Sequence, residues 1–355
     1  MTETSRAIAD ALERLQSESR EEREDAVRVL NGATADEALA GLVIALEDED
    51  AGIREFAADS LARCSGETTS LLLSEFLGAE NIRTRNLAAE ILVRIGGSAV
   101  PALVGWIGHA DHDVRKFVVD VLGLIGEGSA AEAVCGALWD ENINVSCSAA
   151  EALGLLAEPS SCEALIAAAE KRAEIRPQAI EALGRIKDPR AVEFLVGFLS
   201  SADPLLMYAA AEALGQIGSP QALKALSAVV NDTSVEVAEE AFKSALRISE
   251  SIRVNLTDHI SGERMRRFVM DGLVNADEDI LTFALRTNEI WHDAGLVASV
   301  IARASDIKPP VLQRVIANFK RLRVQFYEPL FAAMESADTA TLNLYLEILK
   351  DCHIH

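Results

Sequence analysis

The sequence predicts an all-α fold: a right-handed solenoid (superhelix) of about eleven stacked helix-pair repeats. Three observations predict it. One pattern, V-R-x-x-A-A-x-A-L-G-x-I-G, returns along the first 250 residues in steps of 30 or 31. Each return holds two stretches whose apolar residues recur at helical spacing, with a short polar break between them. The core must also be built from small aliphatic side chains, because half of the 355 residues are apolar while only 5 % are aromatic. One such helix pair cannot bury its apolar faces alone, whereas stacked copies share a continuous core.

The register is set by a position usually held by arginine: Arg23, Arg54, Arg85, Arg115, Ser146, Arg176, Met207 and Ala238. Copies around it include IREFAADSLARCSG, TRNLAAEILVRIGG, VRKFVVDVLGLIGE, VSCSAAEALGLLAE, IRPQAIEALGRIKD and LMYAAAEALGQIGS. In the first helix of a copy, Leu42/Leu46, Leu73/Leu77, Leu103/Ile107, Val134/Leu138, Leu195/Leu199 and Leu226/Val230 draw one stripe. In the second helix a small pair, such as Ala57/Ala58 or Ala149/Ala150, allows close approach. Seven residues after the arginine position, Leu30, Leu61, Leu92, Leu122, Leu153, Leu183 and Leu214 fill the space between layers, and the series ends in Ala245. Asp50, Asn81, Asp111, Asn142 and Asp203 fall where N-caps of the second helices are needed. Gly96, Gly126 and Gly218 fall where those helices should end. The arginine lies just inside each N-terminus, within reach of a carboxylate or carbonyl of the next repeat. Ser146, Met207 and Ala238 interrupt that ladder.

The tract from about residue 20 to residue 248 resembles HEAT-like repeats of the phycobilisome-lyase type. The resemblance covers roughly two-thirds of the chain and implies a solenoid whose second helices line a concave surface. It says little about activity, because such repeats occur in adaptors, scaffolds, bilin lyases and a few enzymes. A bilin lyase-like protein or chromophore-protein chaperone is therefore the alternative to an adaptor, and a metal-dependent enzyme is the third reading. Deoxyhypusine hydroxylases hold iron with His-Glu pairs, and this sequence contains no His-Glu dipeptide. HEAT-like DNA glycosylases have basic grooves, whereas this one should be acidic.

After Glu250 the consensus fades while the helical rhythm continues at a looser period, through HISGERMRRFVMDGLVNA to TATLNLYLEILKD. Residues 1–250 are thus read as the regular solenoid with its N-terminal cap. Residues 251–355 are read as degenerate repeats that continue and cap it, with a separate small helical bundle as the alternative.

Charge narrows the partners. The chain carries 33 basic and 56 acidic residues, a formal net charge of −23, nearly all of it before residue 251. Such a field disfavours nucleic acid and anionic membrane and favours a protein with a basic or amphipathic segment. The five cysteines (Cys64, Cys135, Cys147, Cys162, Cys352) include no C-x-x-C pair and read as reduced, mostly buried thiols. Residues 1–25 are charged throughout, unlike a signal peptide. No run of about 18 apolar residues is evident, so a cytoplasmic location is expected.

Five residues after the arginine position come Asp59, Glu90, Asp120, Glu151, Glu181 and Glu212. Stacking would align them into a carboxylate row, and the resemblance puts that row in the groove. With Phe56, Leu87, Phe117, Leu124, Leu155 and Tyr208 it forms a candidate partner-binding face. The row is equally readable as solvated helix surface, because Asp59/Arg63, Glu90/Arg94 and Glu181/Arg185 have the spacing of favourable i, i+4 pairs. Asp120, Glu151 and Glu212 lack a cation at that offset. His109 and His112 beside Asp111 and Asp113, and the terminal Cys352, His353 and His355, carry metal-ligand chemistry, but the first set occupies an ordinary inter-helix break and the second a chain end. Arg264/Arg266/Arg267 and Lys320/Arg321/Arg323 form two basic clusters. No G-x-x-x-x-G-K-[ST], G-x-G-x-x-G or G-x-S-x-G occurs, so neither a catalytic residue nor a cofactor is expected.

Overall fold

Short amphipathic helices alternate with polar breaks along the whole chain, and the breaks are where the caps fall. The computed structural model describes residues 3–31, 35–64, 66–232, 237–322, 324–337 and 339–350. These form α-helices and short 3-10 turns, with no strand among the described residues. The architecture is an α-solenoid made of two compact units, Met1–Ala191 and Val192–His355. The fading of the consensus after Glu250 does not coincide with that division.

In the first unit the second helices of successive copies are α2 (Arg20–Leu30), α4 (Ala51–Arg63), α6 (Ile82–Ile95), α8 (His112–Ile125), α10 (Ile143–Leu156) and α12 (Arg176–Ile186). Each packs on the next. A parallel layer holds the first helices: α1 (Glu3–Arg14), α3 (Asp36–Ile44), α5 (Glu67–Glu75), α7 (Val100–Val104), α9 (Ala131–Ala137) and α11 (Cys162–Lys171). The predicted leucines Leu30, Leu61, Leu92, Leu122, Leu153 and Leu183 are fully buried between the layers. Ile107 departs from the predicted stripe: it is half-buried, because α7 ends at Val104.

Close approach of the second helices needs glycine. A Cβ on Gly123 would sit 2.8 Å from Ala152 Cβ, and one on Gly154 would sit 2.9 Å from Ala182 Cα. Asp50, Asn81, Asp111 and Asn142 each accept backbone N–H groups of the helix they precede, as the capping pattern required. Gly96 and Gly126 end their helices with φ of +74° and +71°, and the equivalent residues of the next two copies, Ala157 and Lys187, adopt the left-handed conformation of Gly126 without being glycine. Ile82–Val104 is long and apolar enough, by length and composition, to cross a membrane, which the sequence reading overlooked. It is not one element: Gly96 separates α6 from α7.

The second unit contains α13 (Val192–Phe198), α14 (Pro204–Ile217), α15 (Pro220–Asn231), α16 (Ala238–Ile252), α17 (Gly262–Asn275), α18 (Glu278–Arg286), α19 (Ala294–Ala302), α20 (Pro309–Leu322), α21 (Tyr327–Ser336) and α22 (Thr339–Lys350). Asp203 caps α14, Gly218 ends it at φ +74°, and Leu214 and Ala245 are fully buried. Beyond α15 the core changes chemistry. Phe242 stacks on Phe268 at 5.1 Å, and Trp291 meets Phe319 edge-on at 4.8 Å. The Trp291 indole N–H donates to the Ala284 carbonyl at 2.7 Å, and the Tyr345 hydroxyl to that of Ile301 at 2.9 Å. Aromatic rings thus do what Ala and Leu do earlier, which is why the consensus disappears while the helices persist.

Candidate partner-binding face

The arginine position builds the seams beneath the candidate face. Arg23 and Arg115 reach into the next repeat, each Nε 2.8 Å from a carboxylate, of Asp48 and Asp140 respectively. Both also donate to carbonyls at the start of their own helix. Arg54 turns back to the carbonyls of Asp48 and Glu49 at 2.6 and 2.9 Å. At Ser146 the expected gap is filled: Arg172, from the following repeat, donates to Ser146 Oγ at 2.8 Å and to the Leu138 and Asp140 carbonyls. The ladder is therefore not interrupted at that copy.

None of the twelve face residues is buried. Leu124, Leu155 and Tyr208 are exposed, as are Glu90, Glu151, Glu181 and Glu212, while Asp59, Asp120, Phe56, Leu87 and Phe117 are half-buried. The first five carboxylates lie on α4, α6, α8, α10 and α12 of the first unit; Glu212 and Tyr208 belong to α14 of the second. In the copies at either end, the same position is basic, Arg28 and Lys243.

The expected ion pairs need correction. Of the three i, i+4 pairs only Glu181–Arg185 forms, at 2.6 Å. Arg94 instead crosses to Asp59 of the preceding repeat at 2.7 Å, and Arg63 reaches Asn31 at 3.5 Å. The residue nine places after the arginine position thus leans back one repeat at Arg94 and Arg63, whereas Arg185 pairs on its own helix. Where that residue is Leu124 or Leu155, the cross-repeat cation is missing. Asp120 nonetheless has a partner, Lys116 one turn earlier, at 2.7 Å, and Glu212 accepts from Gln216 at 3.3 Å. Among the described residues, Glu90 and Glu151 make no ion pair. Arg85 lies 5.6 Å over the Phe117 ring. The Tyr208 hydroxyl donates to Glu240 at 3.1 Å, and the negative charge of Glu240 pushes the phenol above its ordinary range.

A feature that sequence reading missed lies between α10 and α12. A cavity of about 280 Å³ is lined by Glu151, Leu155, Gln178, Glu181 and Arg185, with Gly154 and Ala182 as its floor. Gln178 Oε1 is buried there without a donor. The glycine of the V-R-x-x-A-A-x-A-L-G motif, beside an exposed Leu, was the available signal.

The other sequence candidates are structural. His109 stacks on Trp106 at 5.3 Å and accepts the Asp111 N–H at 3.1 Å, while His112 sits beside Asp111 and Asp113. Among the described residues no three His, Cys, Asp or Glu side chains converge on one point. Cys352, His353, His355 and Arg323 lie outside the described residues. Cys162 is buried, but Cys64, Cys135 and Cys147 are only half-buried, contrary to expectation. Burial pushes the Cys162 thiol up to about 11. Of the basic cluster on α17, Arg266 pairs with Asp293 at 2.8 Å and Arg267 lies 3.9 Å from Asp271, whereas Arg264 is buried.

Comparison with known proteins sharpens the fold. A family model described as HEAT repeats matches residues 69–143, 100–176 and 169–247, together half of the chain. Importin beta is similar in structure, with a TM-score of 0.54 and 13 % identity over 99 % of this chain and 56 % of its own. Kap121p gives a TM-score of 0.54 at 14 % identity, over 97 % of this chain and 45 % of its own. Among curated proteins, deoxyhypusine hydroxylase of Rattus norvegicus is 38 % identical over 72 residues, which is 20 % of this chain and 24 % of that protein. This chain thus spans about a quarter of the hydroxylase and about half of importin beta and Kap121p.

Proposed function

Because the chain belongs to the HEAT-repeat family, we propose that it is a non-catalytic, cytoplasmic interaction scaffold. Its partner is a protein that presents a Lys- or Arg-bearing segment to the second helices of the first unit. The observation that carries this reading is the cavity between α10 and α12: an ion-pair-free Glu151, a buried Gln178 Oε1 without a donor, and an exposed Leu155 over a floor of Gly154 and Ala182. A basic side chain matches each part. Its aliphatic stem lies on the apolar floor while its N–H donors meet Glu151, and Gln178 Oε1 once that amide turns toward the cavity. Glu90 and Leu124, on the neighbouring helices α6 and α8, extend the same combination of free carboxylate and exposed apolar surface. Kap95p, similar in structure with a TM-score of 0.53, binds RanGDP, which supports protein binding as a use of this fold. The hydroxylase reading lacks its His-Glu pairs.

The test compares the parent with Glu90→Lys/Glu151→Lys in quantitative pull-downs from host extract, after melting curves establish equal folding. The parent should retain proteins with exposed Lys- or Arg-bearing segments, and the variant should lose them about tenfold or more. Retention should also weaken with salt, because the carboxylates are exposed. An identical set of captured proteins would sink the reading.

A further inference from the structure

We propose that a cavity in the second unit binds a carboxylate, with Arg264 as its anchor. The cavity, about 210 Å³, lies where α17 passes the starts of α16 and α18. Arg264, Arg267, Phe268 and Asp271 line it from α17, Glu239 from α16, Ile280 from α18, and Asp277 from the cap that precedes α18. Arg264 is 7 % exposed, and its Nε and Nη2 are buried without a partner. A guanidinium keeps its charge at any physiological pH, so unfilled donors at this depth are costly until an acceptor arrives.

The neighbouring charges do not supply one. Lys243 holds Glu239 at 3.2 Å and Asp277 at 2.8 Å, and Arg267 lies 3.9 Å from Asp271. Arg264 is the cation of this cluster left without a carboxylate among the described residues. A second feature adds positive potential: the N-cap of α16, Val237, makes no side-chain cap bond, so the first N–H groups at Ala238 and Glu239 are not covered by one.

The same surroundings select the ligand. The planar pair of oxygens on a carboxylate matches the Nε/Nη2 edge of a guanidinium. Glu239, Asp271 and Asp277 outnumber the lining cations Arg264 and Arg267, so a phosphate dianion would be repelled more than a monovalent carboxylate. Phe268 and Ile280 give a short aliphatic chain an apolar wall. Binding requires the guanidinium to turn about its last torsions and present its free edge to the cavity. The carboxylate has two sources of equal chemistry, a free small organic acid or a glutamate of a protein segment.

Thermal melts and titration calorimetry of the full chain at constant ionic strength test this, with sodium butyrate, a blocked Gly-Glu-Gly peptide, sodium phosphate and sodium chloride as probes. The parent should show a saturable rise in melting temperature with butyrate or peptide, and none with phosphate or chloride. Stronger binding of butyrate identifies a free acid as the ligand, and stronger binding of the peptide a glutamate side chain. Arg264→Met should abolish the response while melting at or above the parent temperature, since it removes unfilled donors. Should that variant not fold, Arg264→Lys, which keeps the charge and loses the planar edge, should bind at least tenfold more weakly. No saturable response in the parent, a response retained by Arg264→Met, or equal binding of phosphate would each overturn the proposal.

Discussion

Ser146 and Arg172 together do the work of one arginine. Ser146 occupies the position where Arg115 stands one repeat earlier, and Arg172 Nη1 donates to its Oγ at 2.8 Å from the repeat that follows. Arg172 also donates to the carbonyls of Leu138 and Asp140 at 2.9 and 3.0 Å, so the end of α9 and the start of α10 hang on one guanidinium. Arg172→Ala should therefore lower stability by about 1–3 kcal/mol, the range for charge-assisted hydrogen bonds whose partners are left unfilled. Urea midpoints decide it, with Arg185→Ala, an exposed helix pair, as the comparison that should change by under about 0.5 kcal/mol.

Two leucines on α8 separate core from surface within half a turn. Leu122 is fully buried and Leu124 is 64 % exposed. Leu122→Ala should cost about 2–5 kcal/mol, the transfer of a buried side chain plus the cavity left behind. Leu124→Ala should stay within about 0.5 kcal/mol. Similar denaturation midpoints for the two variants would mean that the core stripe of this helix has been misplaced.

Helix ends offer a stabilising change. Lys187 and Ala157 adopt φ of +59° and +53° where Gly126 and Gly218 serve other copies. A side chain in that region costs about 1–2 kcal/mol, of which glycine returns part to unfolded-chain entropy. Lys187→Gly should then raise stability by about 0.5–1 kcal/mol, and Gly126→Ala should lower it. Calorimetric melting of both variants reads the sign directly, and a fall for Lys187→Gly would count against the strain account.

Acid should loosen the arginine seams. The hydrogen bond from Arg115 holds the Asp140 carboxyl below its ordinary range, outweighing burial, which pushes it up. At Asp48 burial pushes up first, and Arg23 together with the Asp50 N–H brings the net value down. A depressed folded value means the stabilisation is complete above the unfolded carboxylate value of about 3.9 and disappears as pH falls through the folded value. The urea midpoint of the parent should thus fall more steeply between about pH 5 and pH 2.5 than that of Arg115→Gln. Parallel pH curves for the two proteins would show that the Arg115–Asp140 pair does not contribute to stability.

The sequence by itself determined the repeat, the leucines between the layers, the caps at Asp50, Asn81, Asp111, Asn142 and Asp203, and the left-handed ends at Gly96, Gly126 and Gly218. These depend on helical period and on the chain within a few residues of each position, and both are written along one strand of text. Only the tertiary structure decided which charges meet. Arg94 pairs with Asp59 rather than Glu90, and Arg172 completes the repeat of Ser146. Glu151 and Arg264 are left without an ion pair among the described residues. The reason is geometric. Side chains three or four places apart share a helix face, but the offset between stacked helices brings residues 25 to 35 apart equally close, and that offset comes from how glycine and alanine let the helices meet.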